Sequence, residues 1–253
     1  MAIGRTPATG QVVNVQGSLG VNPSGHLSGI LYVNKTPSDG WLKTHDPSTL
    51  KYEYLCKYTK VKVLESKKGR TYFRVLDGAN AGKTLTLADD NAKEYLGKTP
   101  SISSRLEIVV TYGKYEAQWY SKAREVGLDQ QWAVLTAGGL QVNVTMNTVW
   151  DKNYAPLPAG EYTILLPDNP HDKNMTRYYR NTEPSLKYDQ VWFPIKYQDN
   201  SRYIHVGNVS EGCVTVVDLA KWADIHEALI RHRSPDGYGV GKLIVKGKPE
   251  RGK

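Results

Sequence analysis

The sequence predicts a mainly β protein. A small β-rich unit over residues 1–100 is followed by a larger β-sandwich or barrel over residues 101–253, with one amphipathic helix near its end. Three observations carry this. Short runs of β-branched and aromatic residues recur at roughly 8–15-residue intervals, separated by Gly, Pro, Asn and Asp. Helical spacing of apolar residues is sustained in one stretch, after Asp218. Between the two units, residues 89–104 carry an acidic, polar run and then Gly97, Pro100 and three serines, the composition of a boundary.

In chain order, residues 10–20 and 28–34 each hold one short strand, and residues 52–64 alternate loosely through Tyr54, Cys56, Tyr58, Val61 and Val63. Residues 71–76 and 83–87 flank Asp77-Gly78-Ala79-Asn80-Ala81-Gly82, which reads as a hairpin turn. Such a unit has the look of an SH3-like binding module, and equally of a β-rich domain with no separate binding role. Residues 89–96 read as a helical turn or two.

The second unit opens with a strand over 105–111. Tyr112-Gly113-Lys114 is expected to turn it back into 115–122. Residues 139–146 alternate cleanly, 158–164 enter another strand, and 191–197 form a third, ended by Gln198-Asp199-Asn200-Ser201. Residues 168–189 are a long polar loop, read as a lid beside a cleft or as a mobile insertion. Asp218 is the expected N-cap of a helix whose apolar face is Leu219, Trp222, Ile225 and Leu229, with His226 and His232 toward its polar side. Residues 239–246 give the last strand.

The net charge is +8 with a pI near 9.2, which suits an anionic partner. The basic residues are dispersed and no nucleic-acid motif is present, so nucleic acid is not expected as the partner. Seventeen tyrosines and six tryptophans stand against two phenylalanines, an aromatic set with polar handles suited to clefts that bind glycans or peptides. The two cysteines, Cys56 and Cys213, fall in different units, and no metal-spaced Cys/His cluster occurs. No cofactor is expected. No run is apolar enough for a membrane span, and the first residues lack the apolar core of a signal peptide.

Residues 203–217 read Tyr-Ile-His-Val-Gly-Asn-Val-Ser-Glu-Gly-Cys-Val-Thr-Val-Val. Residues 203–206 read as a strand, 209–212 as a short loop, and 214–217 as a continuous apolar strand. A histidine ending one strand and a cysteine opening the next are placed to be neighbours, the arrangement in which an imidazole takes a thiol proton. Against this stands the ordinary alternative of a small core cysteine and a packed histidine.

Ile204-His205-Val206-Gly207 followed by Ser210-Glu211-Gly212-Cys213 resembles the active-site signature of the L,D-transpeptidases (YkuD-type domains). Upstream, Pro158-Ala159-Gly160-Glu161-Tyr162-Thr163-Ile164 resembles that family's strand entry, and the resemblance covers residues 102–246. It implies an L,D-transpeptidase-like β fold in which Cys213 is the acyl-accepting nucleophile and His205 the base. Gly212 and the Cys213 backbone would serve the oxyanion, Ser210 would brace the loop, and Asn208 would orient His205 or meet substrate. Trp192, Tyr179 and Tyr203 are the candidate substrate-binding residues, and His171 is a weaker second base.

The implied substrate is a peptidoglycan stem peptide, reached at the cell wall after lysis, injection or signal-independent secretion. The implied reactions are cross-linking, exchange or L,D-carboxypeptidase hydrolysis. Two departures from the family pattern stand out: the histidine-to-cysteine gap is eight, and Thr215 occupies a position usually Arg or Asn. A catalytically inactive wall- or glycan-binding protein, or a phage structural protein with the same fold, is the alternative.

Overall fold

The computed structural model describes residues 27–251 except 99, 101, 102, 104, 105 and 152–154. The strand expected over 10–20 lies outside the described residues.

The first unit is a single antiparallel sheet. Its strands are β1 (Ile30–Val33), β2 (Trp41–His45), β3 (Tyr52–Cys56), β4 (Lys60–Lys67), β5 (Arg70–Val75), β6 (Thr84–Ala88) and β7 (Leu96–Gly97), with a short helix α1 (Asp89–Tyr95) before β7. Their spatial order is β3-β2-β6-β5-β4-β1-β7. Val33, Val61, Phe73 and Leu85 alternate inward to make a small core of its own.

The second unit is a closed barrel in the order β10-β14-β13-β12-β11-β15-β8-β9. Its strands are β8 (Glu107–Ser121), β9 (Val126–Ala137), β10 (Leu140–Thr145), β11 (Gly160–Leu165), β12 (Phe193–Ile195), β13 (Arg202–Val206), β14 (Val214–Val216) and β15 (Gly239–Lys246). A short helix α2 (Tyr179–Thr182) precedes β12, and α3 (Trp222–Ile230) follows β14. Closure pairs every strand, so the barrel leaves no open edge.

Register sorts the side chains into two sets. Phe193, Ile204, Val214, Val144, Leu135, Val110 and Leu243 form the core face. Their sequence neighbours point the other way. His205, Thr215, Thr145 and Trp132 therefore share the outer face along one lateral row, and Trp192, just before β12, stacks on His205.

Three expectations are corrected. Tyr112-Gly113-Lys114 does not turn the chain. β8 runs on through a bulge between Tyr112 and Tyr115, and the reversal comes at 122–125. Asp218 does not cap α3 with its side chain. Its carboxylate accepts the Asn143 N–H at 3.0 Å, and a 3₁₀ turn over Leu219–Lys221 precedes the helix. His226 is not on a polar face but fully buried, stacked on Tyr188 with ring centroids 4.1 Å apart.

The two units share a core. Trp41, Cys56 and Tyr58 join the barrel's apolar cluster. Trp41 Nε1 donates to the Gln190 carbonyl at 3.1 Å, and Tyr188 N–H donates to Ser38 O at 2.6 Å. Lys57 pairs with Glu227 of α3 at 2.6 Å. The first sheet thus buttresses the segment that leads directly into Trp192.

Candidate functional site

β13 and β14 are parallel and adjacent, yet only residues 207–213 join them. Parallel neighbours usually need a crossover of about a dozen residues or more. The short return works here because the shared ladder is three residue pairs long, Ile204–Val206 against Val214–Val216. The connection has to fold back tightly over the outer face, and two glycines allow it. Gly207 has φ +144°, and a Cβ there would come within 3.0 Å of Tyr179. Gly212 has φ +84°, and a Cβ there would run into the Ala155 carbonyl and lie 2.6 Å from Arg202 Nε.

The connection is pinned by polar contacts from β9 and the 147–148 turn. Gln130 Nε2 donates to Asn208 O at 3.0 Å. Thr148 N–H donates to Ser210 O at 2.8 Å, and Ser210 N–H returns a bond to Thr148 Oγ1 at 2.9 Å. Ser210 Oγ donates to the Cys213 carbonyl at 2.9 Å. Gly212 N–H is donated to Asn147 Oδ1 at 3.0 Å. That last bond matters: the Gly212 amide expected to hold an oxyanion is already engaged, which leaves the Cys213 amide as the remaining backbone donor of the expected pair.

Cys213 and His205 line one cleft of about 510 Å³. The same cleft is lined by Trp192, Tyr203 and Tyr179, by Met175, Thr176 and Tyr178 of the 168–189 segment, and by Arg124 from the turn between β8 and β9. The 168–189 segment is tied across its span. Asp189, buried, accepts from Thr176 Oγ1 at 3.0 Å and from Arg180 Nη2 at 2.5 Å. Arg124 donates to Tyr178 Oη at 2.6 Å, joining the hairpin turn to this segment across the cleft.

His205 is 5% exposed, and both its ring nitrogens are bonded. Nδ1 lies 3.0 Å from the Val206 carbonyl, which only accepts, so Nδ1 carries the proton. Nε2 is then the acceptor, and the Thr215 hydroxyl donates to it at 3.0 Å. Thr215 Oγ1 has a second acceptor within reach, the Val209 carbonyl at 3.5 Å. Trp192 lies flat on the imidazole, centroids 4.0 Å apart and planes 14° off parallel, while His171 stacks on Trp192 at 4.0 Å. Tyr203 stands edge-on to His171 and Trp192. Burial drives the His205 pKa down to about 4, opposed by the Val206 hydrogen bond and aided by His171.

Cys213 is 6% exposed, and burial raises its thiol to about 11, against the lowering influence of the Tyr203 amide and the Arg202 charge. The resting pair is therefore a neutral thiol and a neutral imidazole rather than a thiolate–imidazolium pair.

The remaining sequence candidates divide. Asn208 does not orient His205: its N–H donates to Tyr179 Oη at 2.8 Å, and its buried Oδ1 has no partner among the described residues. Tyr179 is buried and props this loop, reaching the cleft with its ring. His171 does not line the cleft; it backs Trp192. The sequence reading missed Asn147, Thr148 and Arg124, which come from distant stretches with no motif of their own, and Arg202, which stands in β13 just before the stretch that was read. Thr215 was legible only as a departure from a pattern.

Together the fold and this cleft define a mainly β protein, sheet and closed barrel, with a buried cysteine and histidine at one outer-face cleft. Comparison of the chain with family models, with curated proteins and with solved structures returns no match.

Proposed function

We propose that this cleft performs cysteine-dependent acyl transfer on peptidoglycan stem peptides, in the manner of an L,D-transpeptidase-like domain. The observation that carries the reading is the convergence of Cys213 and His205 on one cleft, with the imidazole tautomer fixed by Val206 and its ring held by Trp192. With Nδ1 protonated, Nε2 is the base. Thr215 turns its hydroxyl proton to the Val209 carbonyl, and Nε2 accepts the thiol proton as sulfur attacks the peptide carbonyl. The tetrahedral intermediate collapses by breaking the C–N bond, and the departing amine takes that proton from the imidazolium. The acyl group, now a thioester, passes to an amine of another stem, a free D-amino acid or water. The Cys213 amide and the Arg202 charge are the candidates for stabilising the oxyanion.

One specific observation favours a second reading, an inactive wall-binding protein of the same architecture. The base nitrogen is occupied by Thr215 and the thiol is protonated at rest. The muropeptide profile of purified peptidoglycan after incubation with wild type and with Cys213→Ala separates the two. Shortened stems or new cross-links with wild type alone support acyl transfer. Unchanged muropeptides with both proteins, while wild type still sediments with sacculi, support the binding protein.

A further inference from the structure

The long hairpin of β8 and β9 borders a second groove of about 470 Å³, whose lining shares no residue with the Cys213 cleft. It is lined by Lys114, Glu116 and Trp119 of β8, Trp132 of β9, Asn143 of β10 and Asp218 beyond β14. Its volume falls in the range, about 300–1,000 Å³, usual for small-molecule sites.

The groove is built rather than incidental. β8 carries two bulges, between Tyr112 and Tyr115 and between Glu116 and Trp119, each inserting one extra residue against β9. Bulges bend a strand and re-aim its side chains. Here Glu116 accepts the Trp132 indole N–H at 3.0 Å and Trp119 meets Trp132 edge-to-face, centroids 5.4 Å apart. With its N–H engaged, Trp132 offers the groove ring surface rather than a donor.

Charge is matched locally. Lys114 lies 3.1 Å from Glu116, and Lys221 lies 3.8 Å from Asp218. No uncompensated charge selects an ion. Two indoles, a carboxamide and paired carboxylates and ammonium groups suit a neutral ligand with flat C–H faces and many hydroxyls.

We infer that this groove is a saccharide subsite for the glycan strand whose attached peptide enters the Cys213 cleft, the second half resting on the acyl-transfer reading above. The placement supports joint use. Trp132, Thr145, Thr215 and His205 are laterally paired on successive strands, so Trp132 stands three strand spacings, about 14 Å, from His205. The same hairpin walls both sites, through Trp119 and Glu116 in the groove and Arg124 in the cleft. A polymer lying along the hairpin meets both.

The test is calorimetric titration of full-length Cys213→Ala with the N-acetylglucosamine tetramer. Trp119→Ala, Trp119→Phe and Asn143→Ala are made in that background, with melting curves to verify folding. Saturable binding is expected, weakened about tenfold or more by Trp119→Ala and less by Trp119→Phe. Asn143→Ala, at an exposed side chain, weakens it without altering the melting curve. No heat of binding up to about 10 mM sugar, or equal affinity in all folded variants, overturns the subsite. The two readings fail separately. Trp119-dependent binding with no muropeptide change by wild type leaves the subsite standing and removes acyl transfer. Muropeptide change by wild type with no Trp119-dependent sugar binding does the reverse.

Discussion

Among the described residues there are two buried cysteines and two buried, ring-stacked histidines, and one of each, Cys213 and His205, lines the cleft of about 510 Å³. His205 stacks on Trp192 at 4.0 Å and His226 on Tyr188 at 4.1 Å. Burial depresses both, to about 4 and about 3. Burial likewise raises both thiols. The difference lies in the surroundings. His205 has both nitrogens bonded and lines a cleft, whereas His226, on the buried face of α3 against Tyr188 and Phe193, has neither nitrogen hydrogen-bonded among the described residues. Cys213 lines that same cleft, whereas Cys56 sits at the junction of the two units beside Thr59. A perturbed pKa therefore marks burial, and what sets Cys213 and His205 apart is the cleft and the bonded tautomer.

The sharpest way to break this contrast is the cysteine pair. Cys213→Ala is expected to lower acyl transfer on peptidoglycan by about 10³-fold or more, while Cys56→Ala leaves the folded protein within about twofold of wild type. Equal losses in both, measured as released or cross-linked muropeptide, would place the chemistry elsewhere. The histidines come next. His205→Gln should cost about 10²–10⁴ in rate. His226→Ala should instead cost about 2–4 kcal/mol of stability, read from denaturant curves, with the rate of the folded fraction unchanged.

Acid stability sharpens the comparison further. Each histidine binds protons less readily folded than unfolded, so its contribution is complete above about pH 6.5, the ordinary histidine value. It is lost as pH falls toward the folded values of about 4 and about 3. Stability should drop on the order of 3 kcal/mol for His205 and on the order of 5 kcal/mol for His226 over that window, and His205→Gln should remove its share. On the alkaline side, the stability that comes from keeping the Cys213 thiol neutral is lost as pH rises from about 9 to about 11. Flat denaturant midpoints between pH 7 and 4 would show that neither histidine is held neutral by burial.

The smallest expected effect is that of Thr215→Val. Without the hydroxyl, Nε2 is freed and the neutral imidazole loses a stabilising donor, so the His205 pKa rises. Cys213 alkylation at pH 7 should quicken several-fold, at a stability cost of about 1–3 kcal/mol for the unsatisfied nitrogen. An unchanged alkylation rate would mean that Thr215 does not mask the base.

Much of the barrel was legible because strand periodicity is local. The alternation in 139–146, the strand over 239–246 and, in the first sheet, the turn chemistry of 77–82 depend on neighbouring residues alone. The continuation of β8 through Gly113 was not legible. A bulge and a turn use the same residue types, and only pairing with β9 decides between them. His226 was misread for a similar reason. On that side the helix is covered by Tyr188 from the 168–189 segment, a distant partner that a one-sided amphipathic pattern does not reveal.

The sequence by itself determined the β class, the helix after Asp218, and a histidine and a cysteine placed at the ends of consecutive strands. Tertiary structure alone decided that those strands are parallel neighbours, which sets His205 opposite Thr215 rather than in a hydrogen bond with Cys213. It also decided that Asn147 would take the Gly212 amide and that Trp192 would lie on the imidazole. The physical reason is range. Strand and turn preferences act over a few residues, whereas register, tautomer and cleft depend on which distant backbone donors and rings the barrel brings together on closing.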